Sequence, residues 1–182
     1  MPLPHVVQGV VSAHGEHLQA AVLVLADGDL YDEIMEICRR ENIQSGVVLS
    51  IVGGLRKARL SMPISGSDPE APPGVLELSG MMEVSGHGTI GRTIDTYDSE
   101  AITGIVYEAG TPNLHIHITV TQAGRTYMGH LIKGCQVRSL HKKSHFTIVL
   151  ARTEGAVLDF RVSKETTAKY PKGIPIHDLQ PA

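Results

Sequence analysis

The stretch "PNLHIHITVTQAGRTYMGHLIKGC", residues 112–135, carries three histidines, His115, His117 and His130, on two sides of a glycine-containing turn. His115 and His117 alternate along what reads as a strand. Strand side chains alternate between faces, so His115 and His117 point the same way, about 6.5–7 Å apart. If Ala123 and Gly124 form a two-residue loop, Gln122 pairs with Arg125. His117 then falls opposite His130, with Cβ atoms about 4.5–5.5 Å apart. A three-residue loop, with Gly124 in a left-handed bulge, is the competing geometry; it pairs His130 with Ile116 and sends it to the other face. The first register brings three imidazoles within reach of one ion. Three protein ligands and an open fourth position are the pattern of catalytic zinc, and imidazoles also suit iron, nickel or copper.

An antiparallel hairpin at this point sets the expectation for the rest of the chain. "SGVVLSIVGGLRKARLSM" supplies a buried strand at 46–52, the Gly53–Gly54 pair, and a second strand at about 56–62. "VLELSGMMEV" at 75–84 reads as a strand, as do apolar runs at 145–151 and 156–162. "HLQAAVLVLADG" at 17–28 reads as a buried strand entering a turn. "PISGSDPEAPPG" at 63–74 is a loop by composition. Residues 85–111 are rich in turn formers, and only "ITGIVYE" within them suggests a strand. The tail "KETTAKYPKGIPIHDLQPA" is polar and Pro-rich, which suits a surface wrap or a frayed end.

One segment reads clearly as a helix, "DLYDEIMEICRRENI" at 29–43. Asp29 can cap it, and Asp32 and Glu33 favour its positive end. Leu30, Ile34, Ile37 and Cys38 share one face at helical spacing. The fold class is therefore α+β, a single domain built mainly of antiparallel strands with one principal helix.

The bulk numbers bound the function. At 182 residues, 42% of them hydrophobic, the chain can bury a core of its own. A net charge of −3 gives no global field that would draw it to nucleic acid. The only two cysteines, Cys38 and Cys135, form no disulfide framework and fit a reducing compartment, where both pack as small apolar residues. No run approaches the roughly twenty apolar residues of a membrane span, and the start "MPLPHVVQGV" lacks the pattern of a signal peptide. The expectation is a cytoplasmic protein without membrane partners.

Further candidates surround the three histidines. His87, in "GHGTIGR", stands between glycines that let a backbone approach a ligand, and would serve as a fourth ligand or proton shuttle. Arg56, in "GGLRKARL", offers a bidentate fork for a carboxylate or phosphate. Glu83 is a candidate general base. "HKKSH" at 141–145 is a small basic spot. Tyr107, Glu108 and Tyr127 are further candidates for a pocket wall.

The strings "LADGDLYDEIMEICRRENIQSGVVLSIVGGL", "LELSGMMEV" and "PNLHIHITV…GHLIKGC", in this order, resemble the PPC domain (plants and prokaryotes conserved), in particular its bacterial stand-alone members, often labelled "putative DNA-binding". The likeness runs from about residue 20 to 162, leaving 1–19 as an N-terminal extension or first strand and 163–182 as a tail. It implies one helix packed on an antiparallel sheet, a homotrimer, and a metal, zinc first, on His115, His117 and His130. The family fold is also similar to that of acetolactate decarboxylases and a zinc-dependent ester hydrolase. Two features depart from the family pattern: the stretch between Val84 and Pro112 is longer, and an acidic residue that often precedes the L-S-G strand is replaced near Gly74, with Glu77 and Glu83 close by.

Two functions follow as expectations. One is a zinc-dependent lyase or hydrolase, or a binding module, for a small anionic molecule. The other is a DNA-associated regulator, which the family label suggests; neither the charge nor a basic AT-hook segment supports it.

Overall fold

The structure, a computed structural model, describes residues 28–138 and 146–181. The expected strand at 17–28 lies almost wholly outside the described residues, and the basic spot at 141–145 lies wholly outside them.

The helix α1, Leu30–Arg40, starts where the sequence places it. The Asp29 carboxylate accepts from the backbone N–H of Tyr31 and Asp32, and its second oxygen accepts from Gly134 N–H at 2.7 Å. The cap residue thus also ties the helix start to the segment following the third histidine. Leu30, Ile34, Ile37 and Cys38 are buried, joined by Tyr31 and Met35, so the apolar stripe is the face that enters the core.

The sheet is built on two long strands, β1 (Gly46–Met62) and β2 (Gly74–Thr93). They pair antiparallel along most of their lengths. The two strands expected at 46–52 and 56–62 are one, because Gly53 and Gly54 continue the ladder opposite Val84 and Glu83. The strand expected at 75–84 likewise runs on through the glycine-rich "SGHGTIGR". There Gly86 and Gly88 lie against the next strand, β5 (Pro112–Gln122); a Cβ at Gly88 would sit 2.3 Å from the His115 carbonyl oxygen. Glycines that read as turn formers thus serve close backbone approach inside a sheet.

Strand β6 (Arg125–Leu131) completes the hairpin with β5, and its end pairs with β1 at Leu60 and Ser61. Because β2 pairs with both β5 and β1, the ladder β2–β5–β6–β1 closes on itself. Leu114, Ile116, Ile118 and Val120 of β5 point into the enclosed core together with α1's apolar face. The odd-numbered residues of β5 face the other way.

Between β2 and β5 the chain forms a small unit: β3 (Tyr97–Asp98), helix α2 (Glu100–Thr103) and β4 (Val106–Tyr107). Of the run read as a strand, 102–108, only Val106 and Tyr107 are strand, while Ile102 and Thr103 belong to α2. The guanidinium of Arg59 on β1 donates to the carbonyls of Ile102 and Thr103 at 3.1 and 3.2 Å and pairs with Glu77, fastening α2 to the sheet.

The short β7 (Gln136–Val137) and β8 (Thr147–Arg152) both pair with β1. Strand β9 (Ala156–Val162) runs parallel to the end of β2 and carries the chain's last strand, β10 (Pro175–Pro181), as its antiparallel neighbour. Asp159, fully buried at the β2–β9 join, accepts from Arg92 at 3.0 Å and Arg161 at 2.8 Å. The tail read as a wrap or frayed end therefore ends in a strand, because residues 175–181 find a full set of partners on β9.

Candidate metal centre

The hairpin turn decides the site. Ala123 and Gly124 both take positive φ, 48° and 78°, the two-residue turn whose twist matches the flanking strands. Gln122 pairs with Arg125 and His117 with His130, so the three-residue alternative is not adopted. His115 lies two residues along on the same face.

The rings converge. His115 Nε2 lies 3.2 Å from His130 Nε2 and 3.4 Å from His117 Nε2. All three candidate ligand atoms fall within 4.8 Å of one another. A neutral Nε2 has either one N–H or one lone pair, so His115 cannot make a full hydrogen bond to both neighbours. The spacing instead matches a tetrahedral metal: zinc–nitrogen bonds of about 2.0–2.1 Å put ligand nitrogens about 3.3–3.4 Å apart. The donor set and its spacing fit a divalent transition ion.

Protonation favours the same reading. Burial, and then the rings of His177, His130 and His117, hold His115 down at about 4. Burial first, then His117, His177 and Lys169, lowers His130 as well. His115 is thus a neutral imidazole at neutral pH, the form that ligates metal.

Around this centre the structure places the other candidates unevenly. His87 pairs directly with His117 in the β2–β5 ladder, so it shares the sheet face of the cluster, although its side chain is exposed. Glu83 is four pairs further along, opposite Thr121, and exposed. Arg56 sits at the β-bulge between Leu55 and Lys57, five residues back along β1 from Ser61, the partner of His130. At about 3.3 Å per residue that is some way from the rings. Tyr107 lines the cavity described below, Tyr127 packs against the core, and Glu108 is exposed. Cys38 and Cys135 are buried and form no disulfide, with burial pushing both thiols up to about 12.

Four residues that the sequence did not single out complete the surroundings. His177 of β10 stacks on His115, ring centroids 4.7 Å apart, and meets Phe160 edge-on at 5.6 Å. A cavity of about 330 Å³ opens beside His115, His130 and His177, walled by the 97–107 unit, β9 and the segment leading into β10. Asn113, Lys169 and Tyr97 line it. The run "GIPIH", a histidine inside an apolar stretch of a polar tail, was the only signal pointing to His177.

This chain matches one family model over most of its length. It belongs to the Plants and Prokaryotes Conserved (PCC) domain family, whose model matches residues 12–142. Its fold is similar to that of a metal-containing protein of Archaeoglobus fulgidus, with 17% identity, a TM-score of 0.64, and 90% of this chain and 96% of that one covered. A plant- and prokaryote-conserved (PPC) protein of Pyrococcus horikoshii gives 16%, 0.60, 90% and 96% in the same order. A "putative dna binding protein" of Bacteroides thetaiotaomicron gives 15%, 0.57, 91% and 94%. A comparison with curated proteins finds no significant match. No helix among the described residues is long and apolar enough to cross a membrane.

Proposed function

We propose that this chain is a metal-binding member of its family that holds a divalent transition metal, zinc in the first place, on His115, His117 and His130, and binds or transforms a small anionic molecule beside it. The observation that carries this reading is the convergence of three Nε2 atoms at 3.2 and 3.4 Å on one strand pair. A bound ion with an open position supplies Lewis acidity for a carbonyl, or a water of lowered pKa. The chain's own residues supply the rest. His115 and His130 are half-buried and border the cavity. Among the candidates for proton transfer in a lyase or hydrolase, the register supports His87 over Glu83, since His87 is level with His117. The clamp role considered for Arg56 gains no support from its place on β1. A homotrimer and a cytoplasmic location are part of this reading through the family resemblance; sedimentation velocity measures the first.

The deciding experiment is the metal content, by elemental analysis, of the wild-type chain and of His117→Ala purified side by side. One equivalent in the first and almost none in the second is expected. Equal content in both ends the proposal.

A DNA-associated role is the second reading, favoured by the name given to the Bacteroides thetaiotaomicron neighbour. The net charge of −3 weighs against it, because phosphate contacts dominate such affinity. A salt-dependent mobility shift discriminates: absence of binding at low salt eliminates it.

A further inference from the structure

The cavity beside the three histidines has an electrostatic character of its own. None of its lining side chains is an aspartate or glutamate, while Lys169 and the histidines line one side. Lys169 is half-buried, its ammonium 5.4 Å from the centre of the Tyr170 ring, and it makes no ion pair among the described residues. A half-buried ammonium without a counter-charge is a favourable position for an anion.

A second group points the same way. Asn113, 2% exposed, shares the sheet face of His115 and lines the cavity. No hydrogen bond of its side chain is found among the described residues, and an amide on the cavity wall has two donors and an acceptor to offer a ligand. The remaining wall is apolar: Tyr107 stacks on Phe160 at 5.1 Å, and Tyr97 meets the same ring edge-on at 6.2 Å. A volume of about 330 Å³ lies at the small end of ligand pockets, about 300–1,000 Å³.

We propose that this cavity binds a small carboxylic acid with an apolar body, its carboxylate between Lys169, the Asn113 amide and the histidine centre, and its body against Tyr97, Tyr107 and Phe160. This rests on the metal-centre reading for the position of the head group and adds to it the class of ligand. Lys169 and Phe160 lie beyond residues 12–142, so part of the selectivity is supplied by the chain outside the matched family region, and Tyr97, Tyr107 and Asn113 within it supply the rest. The charge of Lys169 selects the anion, the rings select an apolar body, and the length of the cavity limits its size.

The test uses the full-length zinc-treated chain, with benzoate and hexanoate as probes, benzamide as the neutral counterpart and acetate as the head group alone. Affinity is read by titration calorimetry and metal content by elemental analysis of the same samples. At least one of the two acids is expected to bind, with benzamide and acetate weaker by about tenfold or more. Lys169→Gln loses a similar factor, the size of one charge-assisted hydrogen bond, with its metal content unchanged, and Lys169→Arg keeps most of the affinity. Benzamide binding as tightly as benzoate, Lys169→Gln matching wild type, or neither acid binding to a zinc-loaded chain overturns the proposal and leaves the metal centre standing. Lys169-dependent acid binding by a chain that takes up no zinc supports the pocket and overturns the metal centre instead.

Discussion

His177 lies face to face with His115, ring centroids 4.7 Å apart and planes 27° apart, although the two stand 62 positions apart in the sequence, on β10 and β5. The stack limits the orientations open to the His115 ring, whose nitrogen is the shared vertex of the three-nitrogen group.

Replacing His177 by alanine is therefore expected to weaken metal binding without abolishing it. Loss of a group that orients a ligand costs about 10–100-fold in affinity, and the lower end applies here because the contact is a stack and not a hydrogen bond. Competition against a chromophoric chelator measures it. Unchanged affinity would show that the His115 ring is held by its strand alone.

Acid is expected to destabilise the metal-free chain. His115 is held at about 4 and His130 and His177 are lowered, while the unfolded chain has ordinary histidines near 6.5. Between those values the unfolded state binds more protons, so stability is complete above about pH 6.5 and falls as the pH drops towards 4. Urea denaturation of chelator-treated protein at pH 7.5, 6 and 5 reads this. His115→Ala should flatten the slope.

Gly88→Ala tests the glycine-rich part of β2. The added Cβ would lie 2.3 Å from the His115 carbonyl oxygen and 2.6 Å from Ile116 Cα, both backbone atoms that cannot turn aside. A loss of about 1–3 kcal/mol is expected, the usual cost of overpacking, together with lower metal affinity, since the strand that moves carries His115. Gly66→Ala, where no atom lies within 4 Å, is the neutral control.

Asp159→Asn addresses the join that carries β9 and β10. Two arginines donate to this fully buried carboxylate, and the change leaves Arg92 without its charge partner and Arg161 with Asp178 alone, at 4.0 Å. Both guanidiniums are partly exposed, so the cost is about 2–3 kcal/mol, below that of a fully buried pair. Chemical denaturation measures it. A simultaneous loss of metal affinity would trace the effect through β10 to His177.

Local chemistry determined a good deal of this protein. Asp29 before an apolar stripe of period 3.6 specified α1 and its start, and the alternation of His115 and His117 specified β5. The turn allowed two hairpin registers, and the positive φ of Ala123 and Gly124 in the structure selects the one that brings His117 opposite His130. Three metal-ligating side chains on two strands joined by a two-residue turn form a local unit, and a local unit is readable in a chain. The resemblance carried by these same strings pointed to the family.

Tertiary structure decided the rest, and the reason is sequence distance. The glycines of 85–93 have the composition of turns, and only the close passage of β5 makes them strand residues. The Pro-rich tail has little strand character of its own; the free edge of β9 gives its backbone the partners that make it β10. His177 and Lys169 reach the site only through that pairing and the path leading into it, so no spacing rule applied to the sequence could place them beside His115 and His130.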